Sequence, residues 1–278
     1  MFLKRKELMA EKSMMGVMKV VVAMCLAVLV CGCGDGASPK EKLSKEEVAA
    51  ACEMGRKYYH GDGVEQDYAK AMEWYLKAAE QGDAVAQTMI GGMYQEGLGV
   101  EKDDAKSVEW CRKAAEAGEA MAQCWLAGHY YSGEGVAQDY TEAAKWYRRS
   151  AEQDRSNAYV CFMLGSMYAD GLGVKQDIAE AVEWYRKAAE LGEKETQFRV
   201  GLAYYDGNGV QQDYLKAARW FLMAATQGDD RSQYNLGFMY ANGRGVAKDI
   251  AKAMEWYRKA AAQGDADAKE ELKKLAEK

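Results

Sequence analysis

The chain of 278 residues repeats one pattern six times. The tetrapeptide Gly-x-Gly-Val begins at Gly61 and recurs with spacings of 36, 36, 38, 36 and 36 residues. A Trp and an Asp recur in the same register, starting at Trp74 and Asp67. A fixed period of this length is typical of proteins that stack one small structural unit many times. This period, more than the composition, decides what the chain can fold into.

The second half of each unit has the spacing of one face of an α-helix. In the first unit, apolar or small residues follow Asp67 at offsets of 4, 7, 8, 11 and 12, which places them on one helical face. Asp67 is predicted to cap the N-terminus of this helix, because a carboxylate accepts hydrogen bonds from the free N–H groups there. Gly82 is predicted to end the helix in the left-handed conformation.

The first half of each unit is also helical. In the second repeat Ala86, Ile90 and Tyr94 are spaced i, i+4, i+8. A Gly in mid-helix, such as Gly91, costs about 0.5–1 kcal/mol relative to Ala, so it predicts close approach of the partner helix. The Gly-x-Gly-Val turn then joins two helices with positive φ at Gly. A phosphate cradle is rejected, because the Asp that opens the next helix would repel an anion.

The assembled pattern resembles the Sel1-like repeat (SLR), a branch of the tetratricopeptide-like helical repeats. The shared motif is Ala-x3-Leu-Gly-x2-Tyr-x2-Gly-x-Gly-Val, followed by Asp-x3-Ala-x2-Trp-Tyr-x2-Ala-Ala-x2-Gly. The resemblance implies an all-α, right-handed α/α solenoid of six helix-turn-helix repeats of about 36 residues, with a C-terminal capping helix. The repeats are assigned to residues 46–82, 83–118, 119–155, 156–192, 193–228 and 229–264, and the capping helix to 265–278.

The N-terminus predicts a secretory signal peptide over residues 1–32. Five basic residues precede an apolar run at residues 20–30, which is shorter than the roughly 20 residues that a membrane-spanning helix needs. Val30-Cys31-Gly32-Cys33 resembles a bacterial lipobox, which implies lipid attachment at Cys33 and a polar tether over residues 33–45. The predicted location is the bacterial cell envelope, lipid-anchored, on its periplasmic or extracellular face. A plain cleaved signal peptide, a membrane anchor and a later translation start remain alternatives.

Charge and composition exclude several classes of function. A net charge of −6 disfavours nucleic-acid binding, which needs clustered cations. With two His residues in the chain, a multi-His metal site is excluded, and no cofactor is expected. His60 and His129 are predicted to lie at the surface, and neither has the context of a catalytic base. The chain is therefore predicted not to be an enzyme. Cys111 and Cys124 would pair only if their side-chain directions allowed it.

The SLR resemblance implies a protein or peptide partner, bound on a concave surface lined by the first helices. Helical arithmetic places the outward arc of these helices at residues 85, 88, 92, 95 and 96 and their equivalents. In the C-terminal half this arc is rich in aromatic residues, which are the usual anchors of peptide-binding grooves. The predicted partner-binding residues are Tyr131, Tyr159, Phe162, Phe198, Leu202, Tyr205, Tyr234 and Phe238.

Two interpretations of these residues stay open. Phe162, Phe198 and Tyr234 have core packing between repeats as the competing interpretation, whereas Leu202, Tyr205 and Phe238 are the stronger groove candidates. The predicted function is a non-catalytic protein- or peptide-binding scaffold or adaptor of the cell envelope. The alternatives are an envelope regulator or enzyme that binds cell-wall fragments or β-lactams, and a cytoplasmic adaptor with an unprocessed leader.

Overall fold

A computed structural model describes residues 42–277. The predicted signal peptide, Cys33 and most of the predicted tether lie outside these residues. Within 42–277 the structure is entirely α-helical, with thirteen helices and no strand, which confirms the all-α repeat fold and its C-terminal helix. The helices are α1 Lys45–His60, α2 Tyr68–Ala79, α3 Ala84–Glu96, α4 Asp104–Glu116, α5 Ala120–Ser132, α6 Tyr140–Gln153, α7 Ala158–Asp170, α8 Ile178–Glu190, α9 Lys194–Asp206, α10 Tyr214–Thr226, α11 Asp230–Asn242, α12 Ile250–Ala262 and α13 Ala266–Ala276.

Each repeat is a hairpin of an A helix (odd-numbered, α1 to α11) and a B helix (even-numbered, α2 to α12). The repeated Asp caps every B helix, as predicted: the Asp67 carboxylate accepts a hydrogen bond from the Lys70 N–H at 3.0 Å, and its five counterparts do the same. The Asp67 N–H also donates to the carbonyl of Tyr58 at 2.9 Å. One residue thus begins the B helix and closes the turn behind it.

A second set of caps begins the A helices from α3 to α11 and the capping helix α13, and sequence reasoning missed it. The residue after each helix-ending turn accepts a hydrogen bond from a backbone N–H three positions on, as Asp83 does from Ala86 at 2.7 Å. Its equivalents are Glu119, Asn157, Glu193, Asp229 and Asp265. The signal was present in the sequence as an Asp, Glu or Asn directly after Gly in five of the six repeats and after Ser156 in the other.

The turn glycines have the predicted left-handed backbone. The first Gly of each turn ends the A helix, with φ of 78° at Gly61 and 71° at Gly97. The second Gly contacts the previous repeat: a Cβ on Gly99 would lie 2.5 Å from the backbone carbonyl carbon of Tyr68. Gly209 meets the start of α8 at the carbonyl oxygen of Ile178 in the same way. These positions need Gly both for its positive φ and for its missing side chain.

The helices form two compact units, residues 42–122 and 123–277. In the first unit a buried cluster that includes Tyr75, Ile90 and Met93 lies among α1, α2 and α3. In the second unit consecutive helices pack from α6 onward, ending with α13 on α12. Within the described residues no helix has both the length and the apolar character needed to cross a bilayer.

Candidate partner-binding face

All eight predicted binding residues belong to the second unit, where they lie on the A helices α5, α7, α9 and α11. Tyr159 is the most exposed of them, with 55% of its surface accessible. The other seven are partly buried. Partial burial fits neither pure core packing nor a fully exposed groove, since these side chains touch the core and also present surface to solvent.

Three aromatic pairs join the A helices to the B helices. The ring of Phe198 lies 6.0 Å from that of Phe221, between centroids, and Phe221 is fully buried. Phe162 and Tyr234 make equivalent contacts with Tyr185 at 6.1 Å and Tyr257 at 5.6 Å. These are the residues for which core packing was the competing interpretation, and each does pack on a buried ring. The pairs hold the outer aromatic rings in fixed positions, at spacings of one repeat.

Arginine side chains cover several aromatic rings of this face, Phe162, Phe198 and Phe238 among them. The guanidinium of Arg231 lies 4.1 Å from the centre of the Phe198 ring, and that of Arg199 lies 5.8 Å from the Phe162 ring. Arg244 lies 5.2 Å from the Phe238 ring and donates a hydrogen bond to the Tyr205 hydroxyl. Cations stacked on aromatic faces are stabilised by the ring quadrupole. They leave guanidinium N–H groups at the surface as donors.

Sequence reasoning did not identify Arg199 or Arg244 as part of this face. Arg244 is the variable residue of the last Gly-x-Gly-Val turn, and its side chain contacts the preceding repeat at Tyr205. Asn208, at the same position one repeat earlier, contributes to a cleft between repeats four and five. The signal in the sequence is therefore the identity of the variable turn residue, Arg244 or Asn208.

An ion-pair network connects repeats five and six on this face. The Glu195 carboxylate lies 2.9 Å from Arg199 Nε and 2.5 Å from Arg231 Nη2. Arg231 also pairs at 2.8 Å with Asp229, which is 3% exposed. Burial pushes the pKa of both carboxyl groups upward, but hydrogen bonds and charge from Arg231 outweigh it. The pKa values of Glu195 and Asp229 therefore lie below their ordinary values.

A cleft of about 250 Å³ opens where α7, α8 and α9 meet. Its apolar wall includes Val182, Tyr185 and Leu202, and its polar wall includes Arg199 and Asp206. Leu202 is thus the predicted residue that lines the cleft directly, while Phe198 and Tyr205 pack beside it on the same buried cluster around Phe221. The arrangement suits an apolar side chain of a peptide, with donors and acceptors beside it for the peptide backbone.

The remaining predicted residues lie away from the cleft lining. The ring of Tyr131 packs edge-on against Tyr140 at 5.3 Å. The exposed Tyr159 lies edge-on to the buried Tyr147 at 6.4 Å. Tyr234 and Phe238 pack on the cluster around Tyr257. The structure therefore gathers Phe198, Leu202 and Tyr205 into one site and distributes the others along the A helices.

Burial keeps two of the described cysteines in the thiol form. Burial raises the pKa of the Cys52 thiol to about 11 and that of Cys111 to about 12, so both stay protonated at neutral pH. The four cysteines of the described region, including Cys111 and Cys124, are free thiols. Residues 42–277 also hold no group of three or more His, Cys, Asp or Glu side chains placed to bind a metal ion.

The prediction for one histidine is wrong. His129 was expected at the surface, but it is 3% exposed and its Nδ1 lies 3.0 Å from the carbonyl oxygen of Glu134. His129 lies near the end of α5, where its ring can form a hydrogen bond with the turn that follows the helix. His60, by contrast, is exposed, with its ring against that of Tyr59.

The architecture defines the class first: six helical hairpins with glycine turns, followed by a capping helix, make this a tetratricopeptide-like helical-repeat protein. The Sel1 repeat family model matches residues 48–83, 84–119, 120–154, 158–193, 194–229 and 230–265. The chain belongs to the Sel1 repeat family. Members of this family are generally scaffolds for protein interactions.

Two examples represent the solved structures that are similar over most of the chain. One is c5321, a protective antigen of uropathogenic Escherichia coli with an SLR fold, at 42% identity and a TM-score of 0.78 over 84% of this chain. This chain spans half the length of that protein. The other is a Sel1 repeat protein from Oxalobacter formigenes, at 35% identity and a TM-score of 0.69, covering 78% of this chain and 87% of the other. A comparison with curated proteins finds no match.

Proposed function

We propose that this protein is a non-catalytic scaffold of the bacterial cell envelope that binds an extended peptide segment of a partner protein along the A helices of repeats four to six. The observation that best supports this is the cleft of about 250 Å³, with Leu202 on its apolar wall and Arg199 and Asp206 on its polar wall. The cleft accepts one apolar side chain, and the Arg-covered rings beside it offer further contacts at intervals of one repeat.

Site-specific photocrosslinking in the native host tests the binding face. A photoreactive phenylalanine analogue at Asn208, beside the cleft, is expected to form a discrete protein adduct. The same analogue at Glu183, exposed on α8, is the matched control and is expected to form none. The substitution Leu202→Arg should abolish the Asn208 adduct, and Tyr205→Ala and Phe238→Ala should weaken it.

The outcomes separate the alternatives. An adduct that persists in Leu202→Arg, or that forms equally from Glu183, contradicts binding in the cleft. Purified muropeptides and a β-lactam are titrated against the same variants by calorimetry. Binding of either that disappears in Leu202→Arg, with no protein adduct, favours the cell-wall ligand instead. Circular dichroism and urea unfolding of each variant verify that it is folded.

The envelope location is a separate part of the proposal. It is supported by the signal-like leader, by the lipobox-like residues before Cys33, and by the similarity to an E. coli protein described as a protective antigen, since antibodies reach antigens at the cell surface. Lipid attachment at Cys33 would tether the repeats through the polar segment that follows.

Metabolic labelling with palmitate tests the lipid anchor. The wild-type protein is expected to incorporate label and to fractionate with membranes, and Cys33→Ala is expected to lose both properties. Cys31→Ala is the matched control and should retain them. Label retained in Cys33→Ala contradicts this site, and a wild-type protein found unlabelled in the cytoplasm favours the cytoplasmic adaptor.

A further inference from the structure

The B helix of repeat five differs from its counterparts on the side opposite the core. Leu215, Arg219, Leu222 and Thr226 follow one another at i, i+4, i+7 and i+11 along α10 and therefore share one face. Met223 flanks them. Leu215, Leu222 and Met223 are 50%, 43% and 42% exposed. These five residues form an exposed apolar strip with one arginine at its centre, which we name the α10 strip.

The other five repeats serve as internal controls for this strip. At the position of Leu215 they have Ala or Thr, and at the position of Met223 they all have Lys or Arg. Leu222 is replaced by Arg in four of them and by a part-buried Leu76 in the first. In all five, the cation equivalent to Met223 lies 3.4–4.6 Å from the ring centre of the repeat's Trp. Repeat five has lost this polar cover.

The central charge is also changed. Four of the other repeats have Glu where repeat five has Arg219, and Glu109 and Glu255 pair with a lysine one turn later at 2.8 and 2.9 Å. Arg219 makes no ion pair with any described residue of the chain, and the residues one turn before and after it, Leu215 and Met223, carry no charge. Thr226 donates its hydroxyl hydrogen to the Met223 carbonyl at 2.8 Å, which satisfies its polar group within the helix.

We propose that the α10 strip is a docking surface for an amphipathic helical segment of a partner protein, one whose apolar face carries a carboxylate that pairs with Arg219. Exposed apolar side chains at helical spacing fit the apolar stripe of a partner helix. The unpaired guanidinium of Arg219 favours a partner with a negative charge, since an arginine among apolar side chains pairs well with a carboxylate. This surface is on a B helix and does not depend on the A-helix face proposed above.

Charge also argues against two other occupants. In a two-fold pairing of α10 with a second copy, Arg219 at the centre of the strip would face its own copy across the axis, which is repulsive. An anionic lipid surface attracts clustered basic residues, whereas this chain has a net charge of −6. An acidic helix of another protein brings no second arginine to face Arg219 and needs no cluster of basic residues.

Calorimetric titration with designed peptides tests the strip. The probe is an 18-residue helical peptide with a leucine stripe flanked by glutamates, and its counterpart has lysine at each glutamate position. The wild-type protein is expected to bind the acidic peptide at least tenfold more tightly than the basic one. Arg219→Glu should reverse this preference. The triple variant Arg219→Glu/Leu222→Arg/Met223→Lys should lose at least tenfold in affinity for the acidic peptide.

The triple variant is expected to fold, because it gives α10 the residues that α8 has at the same places, Glu183, Arg186 and Lys187. Equal binding of the two peptides, unchanged affinity in the triple variant, or no wild-type binding at millimolar peptide overturns the proposal. So does a wild-type dimer in analytical ultracentrifugation that the triple variant abolishes, or cosedimentation with phosphatidylglycerol vesicles that it abolishes.

Discussion

In most of these hairpins the A helix has a glycine in its middle, and the absence of a Cβ there lets the B helix pack closely. A Cβ on Gly237 would lie 2.6 Å from the ring of Tyr257, and Gly55, Gly165 and Gly201 face the ring of their own B helix in the same way. The sequence predicted this close approach from the position of Gly in mid-helix. It did not predict which side chain would fill the space, because the helix pattern alone does not specify ring orientation.

A pair of Gly→Ala variants measures this contact. Gly237→Ala is expected to destabilise the protein by about 1–3 kcal/mol, because the fully buried Tyr257 ring must move. Gly128→Ala is the matched control: it is also in an A helix, but its Cβ would meet only the Tyr147 hydroxyl, at 3.8 Å. It should stabilise by about 0.5–1 kcal/mol through helix propensity. Urea unfolding measures both, and equal effects would contradict the steric explanation.

Asp229 gives a pH-dependent prediction. Its folded-state pKa lies below the ordinary value of 3.8, so its contribution to stability is fully present above that value and is lost as the pH falls below it. Asp229→Asn keeps an N-cap side chain but removes the charge paired with Arg231. It should cost about 1–2 kcal/mol at pH 7 and progressively less toward pH 3.

The control for this variant is Asp83→Asn, since Asp83 caps α3 in the same way at 2.7 Å and forms no ion pair with the described residues. Its cost at pH 7 should be smaller than that of Asp229→Asn. A cost for Asp229→Asn that does not change between pH 7 and pH 3 would exclude the ion pair as its source.

Glutamines join successive repeats. Gln263, at the end of α12, donates to the carbonyl of Gly228 at 3.1 Å and to Gln233 Oε1 at 2.9 Å. Gln227 does the same one repeat earlier, to Gly192 and Gln197. In the first unit the equivalent position is Ala117, and the Oε1 atom of Gln87 is buried without a partner. Ala117 therefore lacks the amide that donates to the equivalent glutamine in repeats five and six.

Restoring this glutamine should stabilise the protein. Ala117 ends α4 with φ −71° and ψ −8°, close to the φ −86° and ψ −3° of Gln263, so Ala117→Gln can make the same two bonds. We expect a gain of about 1 kcal/mol in thermal or urea unfolding. Ala117→Glu has the same length but cannot donate to Gln87 Oε1, and it should give no such gain. Equal gains from both variants would mean that the hydrogen bond is not the cause.

Element type and order followed well from the sequence, because the period, the Asp caps and the Gly turns are local signals. The glutamine ladder did not, since its bonds join residues about 30 positions apart. The arginine cover of the A-helix face was missed for the same reason. Arg231 lies over Phe198 and Arg244 lies over Tyr205, both rings of the preceding repeat, and a pattern within one repeat does not show contacts with the next.

A repeat array depends on its ends, because the terminal repeats have a neighbour on one side only. The capping helix α13 packs on α12 and covers a cluster in which Tyr257, Ala260 and Ala268 are each fully buried. Its outer side is charged, with Lys274 paired to Glu270 and Glu271. Stability in such arrays is close to a sum of repeat and nearest-neighbour contributions. Removal of the capping helix should therefore destabilise the adjoining repeat first.

Truncation after residue 265 tests this dependence. Hydrogen exchange followed by mass spectrometry should show loss of protection in α12 and α11, with α8 retaining most of its protection. The full-length protein is the reference. Uniform loss of protection across residues 123–265 would instead indicate that the second unit unfolds as one cooperative body.

The junction formed by the second turn glycine has an evolutionary consequence. Gly99 and Gly209 meet main-chain atoms of the previous repeat, and main chain is the same whichever copy supplies it. An in-frame duplication or loss of one 36-residue segment would therefore preserve these main-chain contacts. Recombination that lengthened or shortened the array in this way would leave the outward side chains of each repeat free to differ, as those of α10 differ from the other B helices.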